Sequence, residues 1–258
     1  MDKKLRLSIW RNSNMLREKR IGLNKFMINQ FGGSGRKLKI EYNNNKYIYE
    51  EAMDENYYVL YSFDNFECVS ILIDKTEKIA EIHGIGNYKT CIREDNNKVG
   101  SILLIITIKM LKKYKEKLGI NKITLTDNSV KKCNEKDIKL SMMLTLLTGN
   151  TWYGKYGFRP RDKSLIEYYE NNIKIMNKVK LKHIDLIKYF KKTKLNKEVI
   201  ENTKVYIKKH QYLLLKDYLT KFLKEYDKTC EYFHDFYLLL FIDLKLYNFH
   251  HNTFELDI

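Results

Sequence analysis

At 258 residues and 31.1 kDa, with 44% apolar and 31% charged side chains, the chain can build one large domain or two modest ones around a real core. Its 13% aromatic content and four scattered cysteines exclude disordered, collagen-like and disulfide-scaffold classes. A formal net charge of +16 turns attention to anionic partners.

In chain order, the sequence predicts a mixed α/β centre between two basic flanks. Leu38 to Tyr42 and Lys46 to Glu50 alternate around Asn43-Asn44-Asn45 and read as a hairpin, since asparagine tolerates the left-handed backbone of a tight turn. Tyr57 to Phe63 and Phe66 to Ile73 form a second strand pair, turning at Asp64-Asn65, and Ile79 to Ile85 a further strand. After a polar loop, Arg93 to Lys98, a helix runs from Gly100 to about Leu118. It is apolar nearly all round from Ile102 to Ile108 and so buried. Lys122 to Thr126 is the next strand, and Ser141 to Leu147 looks strand-like as well. Beyond Pro160 neither Gly nor Pro occurs, which predicts a mostly helical region, with Tyr206 to Leu223 one helix of it. Leu238 to Ile242 suits a buried helical turn or a short strand, and periodicity does not choose.

Charge divides the chain the same way. Residues 1–37 carry a net +8, residues 38–170 only +2, residues 171–228 +10, and residues 229–258 −4. The expected domains are a basic N-terminal arm (1–37), an α/β domain (38–165) and a mostly helical basic C-terminal region (166–258). Two alanines against abundant Lys, Asn, Ile and Tyr are what an AT-rich genome writes, as in an intracellular parasite or a large DNA virus.

No apolar run approaches the roughly 18 residues of a membrane span. The basic, charge-interrupted N-terminus lacks a signal-peptide h-region. Cys68, Cys91, Cys133 and Cys230 form no C-x-x-C pair, so reduced thiols are expected. The chain therefore reads as cytoplasmic, or as a virion component if viral, with no membrane partner and no metal.

Val99-Gly100-Ser101 opens the buried helix, and its free N–H groups and positive dipole end make an anion site that fits a diphosphate. Asn128 follows the next strand, and Trp152-Tyr153-Gly154-Lys155-Tyr156-Gly157-Phe158 comes after it. Over roughly residues 55–160 this resembles the GCN5-related N-acetyltransferase (GNAT) family. Val99-Gly100-Ser101 stands at its helix entry, Asn128 at its asparagine, and Trp152, Tyr153, Gly157 and Phe158 at its aromatic-Tyr-x-x-x-Gly-Phe motif. Of the entry's usual pattern the positions are Asp95, Lys98 and Gly100, so one glycine remains and Lys98 offers a cation instead.

The resemblance implies a mixed sheet with a central V-shaped strand split, acetyl-coenzyme A as cosubstrate, and acyl transfer to an amine. Ile85, Gly86, Asn87, Lys98, Val99, Gly100, Ser101, Ile102 and Asn128 would line the cofactor. In that chemistry a base takes the amine's proton, backbone N–H groups hold the tetrahedral oxyanion, and an acid protonates the departing thiolate. Tyr153 matches the family's acid. Glu81 and His83, two residues apart on one strand face, stand where it places its base.

Two motifs are set aside. Phe31 to Lys37 lacks the phosphate-loop spacing, and His250-His251 reads as exposed tail histidines without further ligands nearby. The alternative function, from another class, is an inactive acetyltransferase-like fold serving as a basic nucleic-acid-binding or virion structural protein. Its polyanion contacts would come from the flanks.

Overall fold

A computed structural model describes residues 36–42, 45–53, 57–61, 67–86, 91–92, 99–133, 137–193, 195–226 and 229–258. It is a mixed α/β structure in which strand pairing is antiparallel throughout each unit, and the chain divides into two compact units, Met1–Ile120 and Asn121–Ile258. The N-terminal arm up to residue 35, the turn residues Asn43, Asn44, Asp64 and Asn65, and the loop positions Asn87, Asp95 and Lys98 lie outside the described residues.

Among its described residues, the first unit is a meander with a helix packed against it. Strands β1 (Arg36–Tyr42), β2 (Asn45–Met53), β3 (Tyr57–Tyr61), β4 (Glu67–Asp74) and β5 (Ile79–Ile85) pair in sequence order. The expected hairpin closes with Tyr42 opposite Asn45. Alternation sets its faces, with Leu38, Tyr47 and Tyr49 buried while Lys37, Lys39 and Lys46 are exposed. Helix α1 (Val99–Leu118) packs on β1, β4 and β5 and buries Ile102, Leu103, Leu104, Ile106, Met110 and Leu111. Its one buried hydroxyl is satisfied, since Thr107 Oγ1 donates to Leu103 O at 2.8 Å.

The second unit holds β6 (Lys122–Thr126), the two-residue pair β7 (Val130–Lys131) and β8 (Ile138–Lys139), β9 (Arg159–Pro160), and a closing strand β10 (Thr253–Asp257). β10 lies between β6 and β9, antiparallel to both. Between β8 and β10 come helices α2 (Leu140–Thr148), α3 (Ile166–Met176), α4 (Leu186–Phe190), α5 (Lys197–Lys209), α6 (Leu215–Tyr226) and α7 (His234–Asp243). They share one core containing Met142, Leu146, Phe190, Leu219, Phe222, Phe233 and Phe236.

Four expectations are corrected here. The strand-like run Ser141 to Leu147 is helix α2. Its buried positions Ser141, Met142, Thr145 and Leu146 follow a helical repeat, and Thr145 Oγ1 donates back to Ser141 O at 2.8 Å. The single helix expected over Tyr206 to Leu223 is two. The chain breaks at residues 210–214 because that segment forms a ribbon with residues 179–182. Leu181 N donates to Leu213 O, Lys182 N to Gln211 O, and Leu215 N to Val179 O, each at 3.0 Å. The C-terminal region is mostly helical as expected but ends in strand β10, whose alternating Phe254, Glu255 and Leu256 fit the two-residue period of a strand.

The fourth correction concerns redox state. The cysteines expected to be reduced are paired as Cys68–Cys91 and Cys133–Cys230, with Cα separations of 5.6 and 5.4 Å. Spacing along the chain, 23 and 97 residues, carries no trace of this pairing. The disulfides suit a non-reducing compartment better than the cytoplasm. Intact-mass measurement under non-reducing conditions should show both bridges. Reduction should lower stability by about 3 to 5 kcal/mol per bridge from loop entropy. Four alkylatable thiols in the unreduced folded protein would refute the pairing. Among the described residues no helix is long and apolar enough to cross a membrane.

Candidate functional site

In the first unit, Glu81 and His83 project from the same side of β5, with Oε2 and Nε2 3.5 Å apart. The opposite face, Ala80 and Ile82, is buried. The β4–β5 register slips here: Ile71 faces Ile82, but Ser70 faces Gly84, so His83 is an additional residue on β5. That is a β-bulge, a device that re-aims side chains and backbone groups at functional edges. At Gly84 the strands approach closely, and a Cβ there would meet Ser70 Oγ at 3.0 Å. Pairing resumes beyond, where Gly86 N donates to Cys68 O at 2.7 Å.

Ile85 and Gly86 are half-buried just past the bulge, and α1 begins with buried Val99, half-buried Gly100 and Ser101, and buried Ile102. No acidic side chain occupies the first turn of this 20-residue helix. Its N-terminal amides therefore keep their attraction for an anion.

The second unit carries Asn128 and Tyr153, in surroundings that sequence reasoning missed. β6 ends in Asp127, fully buried, whose backbone extends the ladder with β10: Asp127 N donates to Asn252 O at 3.0 Å and His251 N to Asp127 O at 2.8 Å. Asp127 Oδ1 accepts from Ser129 N and Ser129 Oγ, while Oδ2 has no hydrogen-bond partner. Burial pushes the Asp127 carboxyl above its ordinary value, against the lowering pull of the Ser129 bonds and His251. Asn128 is exposed, and its Oδ1 sits 2.6 Å from His251 Nδ1. His251 holds a left-handed backbone at φ 69°, and His250 beside it is half-buried with Nδ1 unpartnered. The expectation of two exposed tail histidines is thus half corrected: His251 is exposed, but β10 ties the segment to the end of β6. Asp-Asn-Ser after a strand reads as an ordinary turn, and only the return of β10 reveals that it is covered.

Tyr153 is buried in an aromatic wall, its ring 4.8 Å from Trp152, 6.2 Å from Phe158 and 6.3 Å from Phe254. Burial first, and the nearby Asp127 charge second, raise its hydroxyl far above the usual phenol range, so it stays protonated at any physiological pH. The glycines of the motif explain the local turn. A Cβ at Gly154 would lie 2.0 Å from the Tyr169 hydroxyl, which donates to Asn150 Oδ1, and Gly157 sits at φ +94°. No other residue fits either position without displacement.

The Asp127 shift has a consequence for stability. A carboxyl whose folded pKa is raised stabilises the fold only while protonated. Its contribution is complete below the unfolded value and is lost as pH rises through the folded value. Asp127→Asn keeps the acceptor for Ser129 and removes the charge. The variant should melt higher than the parent near neutral pH and lose that advantage in acid. A melting profile parallel to the parent's at every pH would show that Asp127 ionises without cost.

Compared with protein-family models, with curated proteins and with solved structures, the chain matches none. Among the described residues no group of three or more His, Cys, Asp or Glu side chains is placed to hold a metal ion.

Proposed function

We propose that the chain is an N-acetyltransferase that moves an acetyl group from acetyl-coenzyme A to an amine by direct attack. The observation that carries this reading is Tyr153, which lies buried with Trp152 and Phe158 in the aromatic-glycine segment that resembles the family's acid motif. Further support comes from the β5 bulge at His83 and from an α1 N-terminus free of acidic side chains.

Acetyl-coenzyme A supplies an activated thioester. Glu81 or His83, or a water between them, takes a proton from the attacking amine. Backbone N–H groups around the bulge stabilise the oxyanion, a contribution on the order of 10²–10³ in rate for each donor. As the carbon–sulfur bond breaks and the amide forms, the departing thiolate takes up a proton, the role the family resemblance gives to Tyr153. A +16 chain repels free polyamines, so the acceptor is better sought among protein amines or amines on anionic carriers.

Calorimetric titration with acetyl-coenzyme A tests the reading. Saturable heat, weakened by Gly100→Leu, is the expected result, and no heat at millimolar ligand with folded protein refutes it.

A further inference from the structure

The ribbon that interrupts the helices joins two stretches of unusual charge. Residues 171–184 contain Lys174, Lys178, Lys180 and Lys182, and residues 202–216 contain Lys204, Lys208, Lys209 and Lys216. Neither stretch has a single Asp or Glu. The hydrogen bonds of residues 179–182 to residues 211–215 bring them side by side. His183 Nδ1 accepts from Lys180 N at 3.2 Å and fixes the turn after the first segment.

At the centre of this surface stands Tyr212, 68% exposed. Lys182 Nζ lies 4.5 Å and Lys180 Nζ 5.5 Å from its ring centroid. On helix α5 the ring of Tyr206 lies 4.2 Å from that of His210, tilted to it, and carries Lys221 Nζ at 4.4 Å. Tyr212 is thus an exposed ring with two lysine cations in cation–π range. An aromatic face flanked by fixed cations matches the two parts of an unpaired nucleotide, a base to stack and a phosphate to neutralise.

We infer that the ribbon of residues 179–182 and 211–215 binds single-stranded nucleic acid, with a base stacked on Tyr212 and phosphates held by Lys180 and Lys182. This site is independent of the acetyltransferase reading, since none of its residues belongs to that chemistry. Either can fail while the other stands.

Fluorescence anisotropy of the full chain with labelled oligo(dT) and oligo(rU) tests the proposal, with the same-length duplex and heparin as controls. Binding should weaken log-linearly with salt. Tyr212→Ala should weaken single-strand binding about tenfold, the stacking of one base, while heparin binding barely changes. Tyr212→Phe should restore it, and the pair Lys180→Glu with Lys182→Glu should lower affinity for all polyanions. Tyr212 is exposed, so the variants should melt like the parent. Absence of oligonucleotide binding, equal loss of heparin and oligonucleotide on Tyr212→Ala, or duplex bound as tightly as single strand would each overturn the assignment.

Discussion

Deleting residues 253–258 is expected to unfold the second unit rather than trim it. β10 makes five register pairs with β6 and two with β9, so its loss leaves both strands unpaired along those edges. Phe254 is fully buried against the rings of Tyr153, Tyr169 and Phe249. Phe254→Ala alone should cost about 3–5 kcal/mol, a large share of the roughly 5–15 kcal/mol that holds a domain together. Lys122 Nζ, 3.2 Å from Glu255 Oε1 and 3.8 Å from Asp257 Oδ1, adds little by comparison because these groups are partly solvated. Denaturant unfolding followed by near-ultraviolet circular dichroism reads the effect. A truncated chain with an unchanged cooperative transition would show that β6 and β9 hold without β10. Phe254→Leu, which keeps most of the volume, should lose much less.

Tyr153→Phe is expected to abolish most turnover while leaving acetyl-coenzyme A affinity nearly unchanged. The substitution deletes one oxygen and preserves the ring contacts with Trp152, Phe158 and Phe254. General-acid help is worth about 10²–10⁴ in rate, and it operates only as the thiolate forms, so kcat falls and KM does not rise. Pre-steady-state thiol release, read by a chromogenic disulfide, separates this from slow product release. Unchanged kcat would make Tyr153 a packing residue of the β10 wall. Glu81→Gln run beside it should lose rate that is partly regained at higher pH, where more of the amine is already neutral.

Local patterning carried the strands up to β6 well. The alternation of Leu38 to Glu50 predicts the β1–β2 hairpin, and the Ile79 to Ile85 and Lys122 to Thr126 bounds coincide with β5 and β6. The start of α1 at Val99 falls one residue from the expected Gly100. What sequence pattern missed is decided by distant chain. Ser141 to Leu147 is a short, mostly apolar run in which the sequence does not decide between strand and helix, and the packing of α6 and α7 on it does. The break at residues 210–214 has no Gly or Pro to announce it, because the interruption is imposed by residues 179–182. The cover over Asp127 comes from the return of residues 250–252, far along the chain. At the candidate site, the motif around Tyr153 gave no sign of the buried Asp127 near it.

Thr126 meets Thr253 across 127 residues of chain. During synthesis, at about 5–20 residues per second, β6 is made roughly 6–25 seconds before its partner exists. For that interval the whole helical excursion must be produced and kept from competing strands. Codon usage through residues 161–250 and the supply of holdase chaperones should therefore govern the yield of active protein more than the melting temperature does. Slowing translation there prolongs the exposure of β6, and recombinant expression at low temperature, which slows synthesis and aggregation together, offers a direct way to weigh the two.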